Sequence, residues 1–581
     1  MSVVRPFGFF VALGLALLDP GSAGAAADSS AALQRRIAQA IAVTPVVNPT
    51  SEDRALRAFY SGRSRLVWSG PHAGHAAKLA EAIPAVARAE GLDPRIYAAP
   101  ADGDEVERDV RLSAALARLG HDIAVGRIAP DRALGGFGGA GRTDYDAVHF
   151  LRLLSEGKSL EDAAAQIQPP FVGYLRLKEA QDRLRVLARA GGWGTLPDGP
   201  KLVAGETTDD RIPALRRRLI LSGDLDPAEG GNESTLYDGA VVEGVRHFQR
   251  RHGLEADGTL GPRTLAALNV PVEARLNQIA VNLERWRWMP RQLGRRHVSV
   301  NIPAAWLDLV EDGAVTLSMR VVVGDTRHPT PSMDSRMSSL VLNPPWSVPS
   351  SIVEKEILPK LRRDPDYLAS NNLQIVGYPE DSPDSAGDGI DWNAIGKKFP
   401  RLRQPPGPDN ALGQIKFNLA NADDIYLHDT PNHRVFSRAY RALSHGCVRL
   451  DEPVALGEAL MGAHWQGRLA GNLGTGNPTR TVPLERSVPV YLVYFTAWTD
   501  GAGEINFRDD LYGHDRRLST ALRSLRAAPP PPPPPAPVAV PASAPAPVTP
   551  PAPAAAPAPV AAPAAPAPAP NAAPAVAQPP A

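Results

Sequence analysis

The single cysteine of this 581-residue chain, Cys447, lies in the run SHGCVRL (444–450), beside a histidine and a glycine. A lone thiol cannot close an internal disulfide. Three roles remain open to it: core filler, metal ligand or nucleophile. A nucleophilic thiol needs a base, because at its ordinary pKa of ~8.5 only a few per cent is thiolate at neutral pH. Two nearby histidines can serve: His445 in the same run, and His428, with fifteen residues between it and Ser444. Gly446 puts no side chain in the way of an approaching carbonyl, so the N–H groups of Gly446 and Cys447 are candidate oxyanion donors. Ser444 reads as a hydrogen-bonding neighbour, since a thiolate is the stronger nucleophile at neutral pH. A zinc site from His428, His433, His445 and Cys447 matches no common ligand spacing and has one sulfur only. His433, in the turn-like TPNH, reads as a surface residue. Arg434, Arg438, Arg441 and Arg449 share the segment, either as carboxylate clamps or as a solvated basic face.

The elements that must hold these residues are strands. From about residue 295 the hydrophobic period is two: RHVSVNIPAAWLDLV, AVTLSMRVVVGD, SSLVLNPPW, GQIKFNLA (413–420), DDIYLHDT (423–430) and VPVYLVYFTAWTD (488–500). Residues 347–412 interrupt this pattern with a helix followed by Gly-, Pro- and Asp-rich loops, which predicts a lid over a binding site. Upstream, residues 30–195 carry helical periodicity at 76–92, 106–128, 160–167 and 174–192, with no catalytic constellation. NQIAVNLERWRWMP reads as a connecting helix within residues 273–294.

Residues 203–272 hold Phe248, Gln249, Gly253, Leu254, Asp257, Gly258, Gly261, Thr264 and Leu268. This pattern resembles the peptidoglycan-binding-domain-1 family, a three-helix module, with Pro262 suited to a first helical turn. Its residues are expected mainly to cap and pack those helices. The stretch IYLHDTPNHRVFSRAYRALSHGCVRLDEP (425–453) resembles the signature of L,D-transpeptidases of the YkuD fold: a histidine, about 14–17 residues, then Ser/Thr-His-Gly-Cys. VVVGDTRHPTPSM (321–333) and NPPWSVPSSI (343–352) are similar to the long periplasmic branch of that family, in which a scaffold, a binding module and the catalytic domain follow in this order. The residues alone do not distinguish His428 from His445 as the base.

The resemblance implies that Cys447 is the nucleophile and His428 the general base, with the Asp429 carbonyl orienting His428. It implies that His445 and Gly446 form the oxyanion side, and that Trp346 and Tyr426 lie near the pocket, where core packing is the competing role. Arg449 and Ser444 join Tyr426 and Trp346 as expected substrate-binding residues. An Asp side chain at 429 departs from the family pattern; a carboxylate facing the ring would raise the His428 pKa. The implied reaction joins peptidoglycan stems by a 3→3 cross-link through a Cys thioester, with release of D-alanine. It needs no metal and no organic cofactor, and carbapenems would acylate the same thiol. The competing readings are transfer to an outer-membrane protein, hydrolysis of stems, or a non-catalytic wall-binding scaffold.

Bulk properties agree with export. Phe7–Leu18 is a short apolar run after Arg5, followed by small residues, so residues 1–27 read as a signal peptide delivering the chain to the periplasm, or as an uncleaved inner-membrane anchor. An oxidising compartment makes a solitary thiol notable. With 62 basic and 62 acidic residues, the charge balance gives no support to a nucleic-acid partner. Residues 529–581 hold 23 of the 60 prolines and no charge, so a Pro/Ala tail from 528 is expected to stay disordered. The fold expected is multidomain α+β: helical scaffold, three-helix binding module, a predominantly β YkuD-type catalytic domain (295–515) with its lid insertion, and that tail. Peptide stems and glycan are the expected partners; the oligomeric state is not legible.

Overall fold

A computed structural model describes residues 20–527, apart from 45–48, 101, 138–144, 206, 365, 378–386, 388–389 and 396–398. The Pro/Ala tail and residues 1–19 of the predicted signal peptide lie outside the described residues; a helix, Pro20–Val43, begins inside the predicted signal segment. The periodic stretches upstream form helices at Ala73–Ala89, Glu105–Ala124, Leu160–Ile167 and Val172–Arg189. The first three share one core, from Ile37 to Ala164, with Val110, Leu116 and Leu119 fully buried on the central helix, while Tyr174 and Leu177 of the last pack against Ile279 and Leu283. Asp104 and Ser159 cap two of these helices by accepting from Glu107 N–H and Asp162 N–H.

The binding module packs helices Ile212–Leu221, Gly239–Arg251 and Pro262–Leu268 around Leu215, Val241, Val245 and Phe248. Pro262 opens the last helix, where its missing N–H costs nothing. Gln249 is 2% exposed and fully engaged. Its amide nitrogen donates to Asp257 Oδ1, Thr259 O and Thr264 Oγ1 at 3.0, 3.0 and 3.1 Å, and its oxygen accepts from Gly258 N–H at 2.9 Å. The motif therefore ties the turn to the two helices.

Helix Val272–Trp288 then leads into the sheet-rich half. Its strands are β1 Arg296–Asn301, β2 Trp306–Glu311, β3 Ala314–Gly324, β4 Met333–Leu342, β5 Trp346–Ser347, β6 Gln374–Ile375, β7 Leu402–Gln404, β8 Ile415–Leu419, β9 Leu427–His428, β10 Ala442–Ser444, β11 Val448–Leu450, β12 Arg480–Val493, β13 Ala497–Thr499 and β14 Ile505–Phe507. The main sheet runs β10-β3-β11-β9-β8-β4-β12-β1-β2, and β2 also pairs with β3, so the sheet closes on itself. Closure removes the exposed edges of these strands. Inward residues such as Val300, Leu307, Val321, Leu340, Phe417, Leu427, Val448 and Val490 fill the interior.

The insertion differs from its expectation. Residues 347–412 are not a helix followed by loops: β5, β7 and β6 form a second small sheet, and Val353, Ile357, Leu361, Leu368, Ile375, Trp392 and Leu402 make a separate core. The strands are two or three residues long and pair across the insertion, which no local period reveals. Its helical run Ser350–Leu361 contains a π turn at Val353–Ile357, just before Pro359. Proline removes a helical donor and crowds the carbonyl four residues back, so a widened turn relieves it.

Several contacts tie the other parts to the catalytic half. Arg132 donates to both Asp423 carboxylate oxygens at 2.9 and 2.7 Å. Glu255 of the binding module accepts from Ala439 N–H at 2.6 Å. Asn282 exchanges hydrogen bonds with Thr496 at 2.7 and 3.0 Å. Helix His514–Ala527, which extends past the expected end of the catalytic domain, buries Leu518 against Val281 and Trp288.

Candidate active site

Strand register assembles the site. β8 and β9 run antiparallel with Lys416 opposite His428, and β9 and β11 run parallel with His428 opposite Arg449. Their neighbours Phe417, Leu427 and Val448 point into the core. Alternation therefore puts Lys416, His428 and Arg449 in one row on the other face, with Tyr426 and Cys447 two residues back on that same face. A one-residue slip would bury all five.

His428 is 5% exposed, and its Nδ1–H donates to the Asp429 carbonyl at 2.6 Å. That bond selects the tautomer with Nε2 unprotonated, as a base requires. Burial, with the positive charge of Arg449 second, pushes the His428 pKa down to about 3. The ring is therefore neutral at physiological pH. The Asp429 carboxylate does not face the ring. It accepts from Gln414 N–H at 2.8 Å and Thr430 N–H at 2.7 Å, and lies 3.4 Å from His433 Nε2. No acidic group raises the His428 pKa, and the departure at position 429 is spent on holding the loop.

Cys447 is half-buried and forms no disulfide. Its Sγ lies 3.8 Å from the Asp424 carbonyl, whose residue adopts a left-handed φ of 53°. The Tyr426 side chain neighbours the thiol and the Trp346 side chain. Burial pushes the thiol pKa up, against the opposing pull of Tyr426, Lys416 and Arg449. The resting pair is thus a neutral thiol and a neutral imidazole.

The turn before Cys447 is braced from several sides. Ser444 Oγ donates to the Cys447 carbonyl at 2.6 Å and accepts from Gly446 N–H at 3.1 Å. Thr330 Oγ1 donates to the Gly446 carbonyl at 2.7 Å, and Asp325 N–H donates to the Ser444 carbonyl at 2.9 Å. Gly446 has φ 115°, a conformation that glycine alone adopts without strain. Two expectations change here. The Gly446 N–H is spent on Ser444, which leaves Cys447 N–H as the remaining donor of that pair. Ser444, expected as a substrate-binding residue, is 2% exposed with its hydroxyl engaged at both ends within the turn.

His445 points toward the insertion: its Nε2 meets Glu356 on the π turn, and its ring lies 4.8 Å from that of His328. Of the arginine cluster, Arg441 is buried and donates to the carbonyls of Arg438 and Ala305 at 2.7 and 3.0 Å, so it is structural. Arg449 alone joins the site. Its Nε is sealed from solvent with no hydrogen-bond partner, and burial lowers its pKa. Lys416 escaped the reading of the sequence. Its ammonium sits 4.2 Å from the Tyr426 ring centroid, and burial lowers its pKa too. The only available signal was a basic residue at an alternating position in GQIKFNLA, and its meaning depends on the β8–β9 register.

Comparison with known proteins places these observations in a family. Residues 54–180 match a scaffold domain, residues 208–268 a "putative peptidoglycan binding domain", and residues 295–459 the L,D-transpeptidase catalytic domain. A Haemophilus influenzae protein described as a "putative L,D-transpeptidase" is 38% identical over 252 residues, 43% of this chain and 50% of that protein. The chain thus spans about half the length of this curated relative. Among solved structures, an L,D-transpeptidase from Mycobacterium smegmatis aligns at 16% identity over 34% of this chain and 58% of its own, with a TM-score of 0.17. One from Xylanimonas cellulosilytica aligns at 17% identity over 51% and 98%, also with a TM-score of 0.17. These scores are too low to equate whole architectures. With scaffold and binding-domain matches ahead of it, the segment that carries Cys447, residues 295–459, is an L,D-transpeptidase catalytic domain of the YkuD family.

Proposed function

We propose that the chain is an exported peptidoglycan transpeptidase with Cys447 as nucleophile and His428 as base. The observation that carries this reading is the tautomer lock: Nδ1–H bound to the Asp429 carbonyl leaves Nε2 free on the face that holds the thiol. Sγ attacks the carbonyl of the third residue of a tetrapeptide stem while His428 Nε2 takes the thiol proton. Cys447 N–H supports the developing oxyanion. The C–N bond breaks, the proton passes to the departing amine, and D-alanine leaves behind a thioester. A side-chain amine of a neighbouring stem then attacks the thioester, loses its proton through His428 and regenerates the thiol. The product is a 3→3 cross-link. With both groups neutral at rest, His428 acts during the attack itself and no thiolate–imidazolium pair forms beforehand.

The contact between His445 and Glu356 supports a lid role for the insertion, whose closure over the signature turn would exclude water and favour the amine acceptor over hydrolysis. Incubating the chain, lacking residues 1–27, with disaccharide-tetrapeptide tests the proposal by mass spectrometry. A dimer lighter than two monomers by one D-alanine, absent with Cys447→Ala, is the expected product. Tripeptide alone would reassign the activity to hydrolysis or to transfer onto a protein lysine. If no product forms and a carbapenem fails to acylate Cys447, the chain is a wall-binding scaffold.

A further inference from the structure

Two cations flank the reacting pair, and among the described residues neither has a carboxylate partner; the charge both sense is that of the Cys447 thiolate, which is scarce at rest. Lys416 and Arg449 stand one strand to either side of His428, so their backbones are ~10 Å apart and long side chains reach the space above the ring. Neither forms an ion pair among the described residues. Asp424 is the acid that Lys416 senses, and it stays beyond ion-pairing distance. The guanidinium Nε is buried without an acceptor. A buried donor left unpaired costs about 1–3 kcal/mol, and a charge costs more. Several fully buried arginines are answered by a carboxylate, Arg287 by Glu284, Arg251 by Asp224 and Arg285 by Asp515, whereas the partly buried Arg449 and Lys416 face the open site without one. The pair beside the thiol is built to receive an anion.

We propose that Lys416 and Arg449 form a carboxylate subsite that binds the free C-terminal carboxylate of the residue expelled from the donor. This inference rests on the proposed acyl transfer. In a leaving amino acid the carboxylate is separated from the scissile carbonyl carbon by the amide nitrogen and one Cα alone, a span of roughly 3–4 Å. A scissile carbonyl at Cys447 Sγ therefore puts that carboxylate within reach of both cations. A planar guanidinium and a mobile ammonium suit its two oxygens. The consequence is a preference for a free terminal carboxylate over an amide at that position.

The single thiol makes this testable without turnover. In the full chain, alkylation of Cys447 by iodoacetate and by iodoacetamide is followed by intact mass, and the ratio of the two rates is compared with that of N-acetylcysteine amide. The anionic reagent gains at least about five-fold over the control, the factor expected of one favourable charge contact near 4 Å. Lys416→Met and Arg449→Met each lower the ratio, Lys416→Arg restores it, and 0.5 M salt weakens it. In the transfer assay, tetrapeptide amide reacts with a KM at least about ten-fold above that of the free acid in the parent chain, and about equally in Lys416→Met. A parent ratio equal to the control, a ratio unchanged by both Met variants, or a thiol inert to both reagents overturns the subsite. Anion preference without cross-linking would sink the transpeptidase reading and leave the subsite standing.

Discussion

Gln249 in the binding module and Arg449 in the catalytic domain are both polar residues held against a core, and they are treated in opposite ways. Both nitrogen donation and oxygen acceptance by Gln249 are met from within its own module. Among the described residues, the Nε of Arg449 has no acceptor, and Lys416 beside His428 has no ion-pair partner. A saturated polar group stabilises its fold, because removing it strands partners in an apolar surrounding. An unsaturated one burdens its fold and gains a partner only when something binds. The two motifs are equally conspicuous in the sequence, yet one shapes a module and the other is left open for chemistry.

The largest expected effect belongs to the reacting pair. Cys447→Ala abolishes D-alanine release, and His428→Gln lowers kcat by about 10²–10⁴, while thermal unfolding of both variants stays near that of the parent. Loss of folding in either variant would break the contrast between open and saturated residues. Next, Gln249→Ala lowers stability by about 1–3 kcal/mol, read by denaturant titration of the binding module's transition, with the alkylation rate of Cys447 unchanged. A change in that rate would show that the module's knot reaches the thiol.

Gly446→Ala sharpens the comparison within the signature itself. Its φ of 115° makes any side chain strained, at a cost of about 1–3 kcal/mol. Stability and turnover should therefore fall together, unlike in the His428 variant. The smallest effect is expected at the open cations. Arg449→Met leaves unfolding stability unchanged or raises it by up to ~1 kcal/mol, although it impairs the donor reaction. A clear destabilisation would mean that Arg449 is saturated after all.

pH gives an independent check. With the thiol pKa raised and that of His428 near 3, alkylation by iodoacetamide should climb through and beyond the ordinary thiol range. His428 is protonated only below about pH 3, so kcat/KM should show no acid limb between about pH 5 and 7. A limb there would mean that the imidazole titrates normally and that a preformed ion pair carries the attack.

Much of this architecture was readable from one chain. The helical stretches, the strand runs and the signature spacing all express periods or local motifs. What escaped depends on register and long-range pairing. Lys416 joins the site only because β8 pairs with β9 so that residue 416 faces residue 428. The insertion hid its sheet because strands of two and three residues carry no period. The Gly446 N–H looked free because the Ser444 hydroxyl folds back two residues to meet it, which the run SHGC does not announce. The Asp429 carboxylate similarly turned away from the ring beside it, drawn by two backbone donors.

The solitude of Cys447 also sets how this protein tolerates oxidants. A peroxide that converts the thiol to a sulfenic acid meets no second cysteine in the chain to resolve it as a disulfide. Recovery must come from a thiol supplied by another molecule, and without one the next oxidation step is irreversible. Burial and the raised pKa keep the thiolate scarce, so the resting thiol is shielded by its own neutrality.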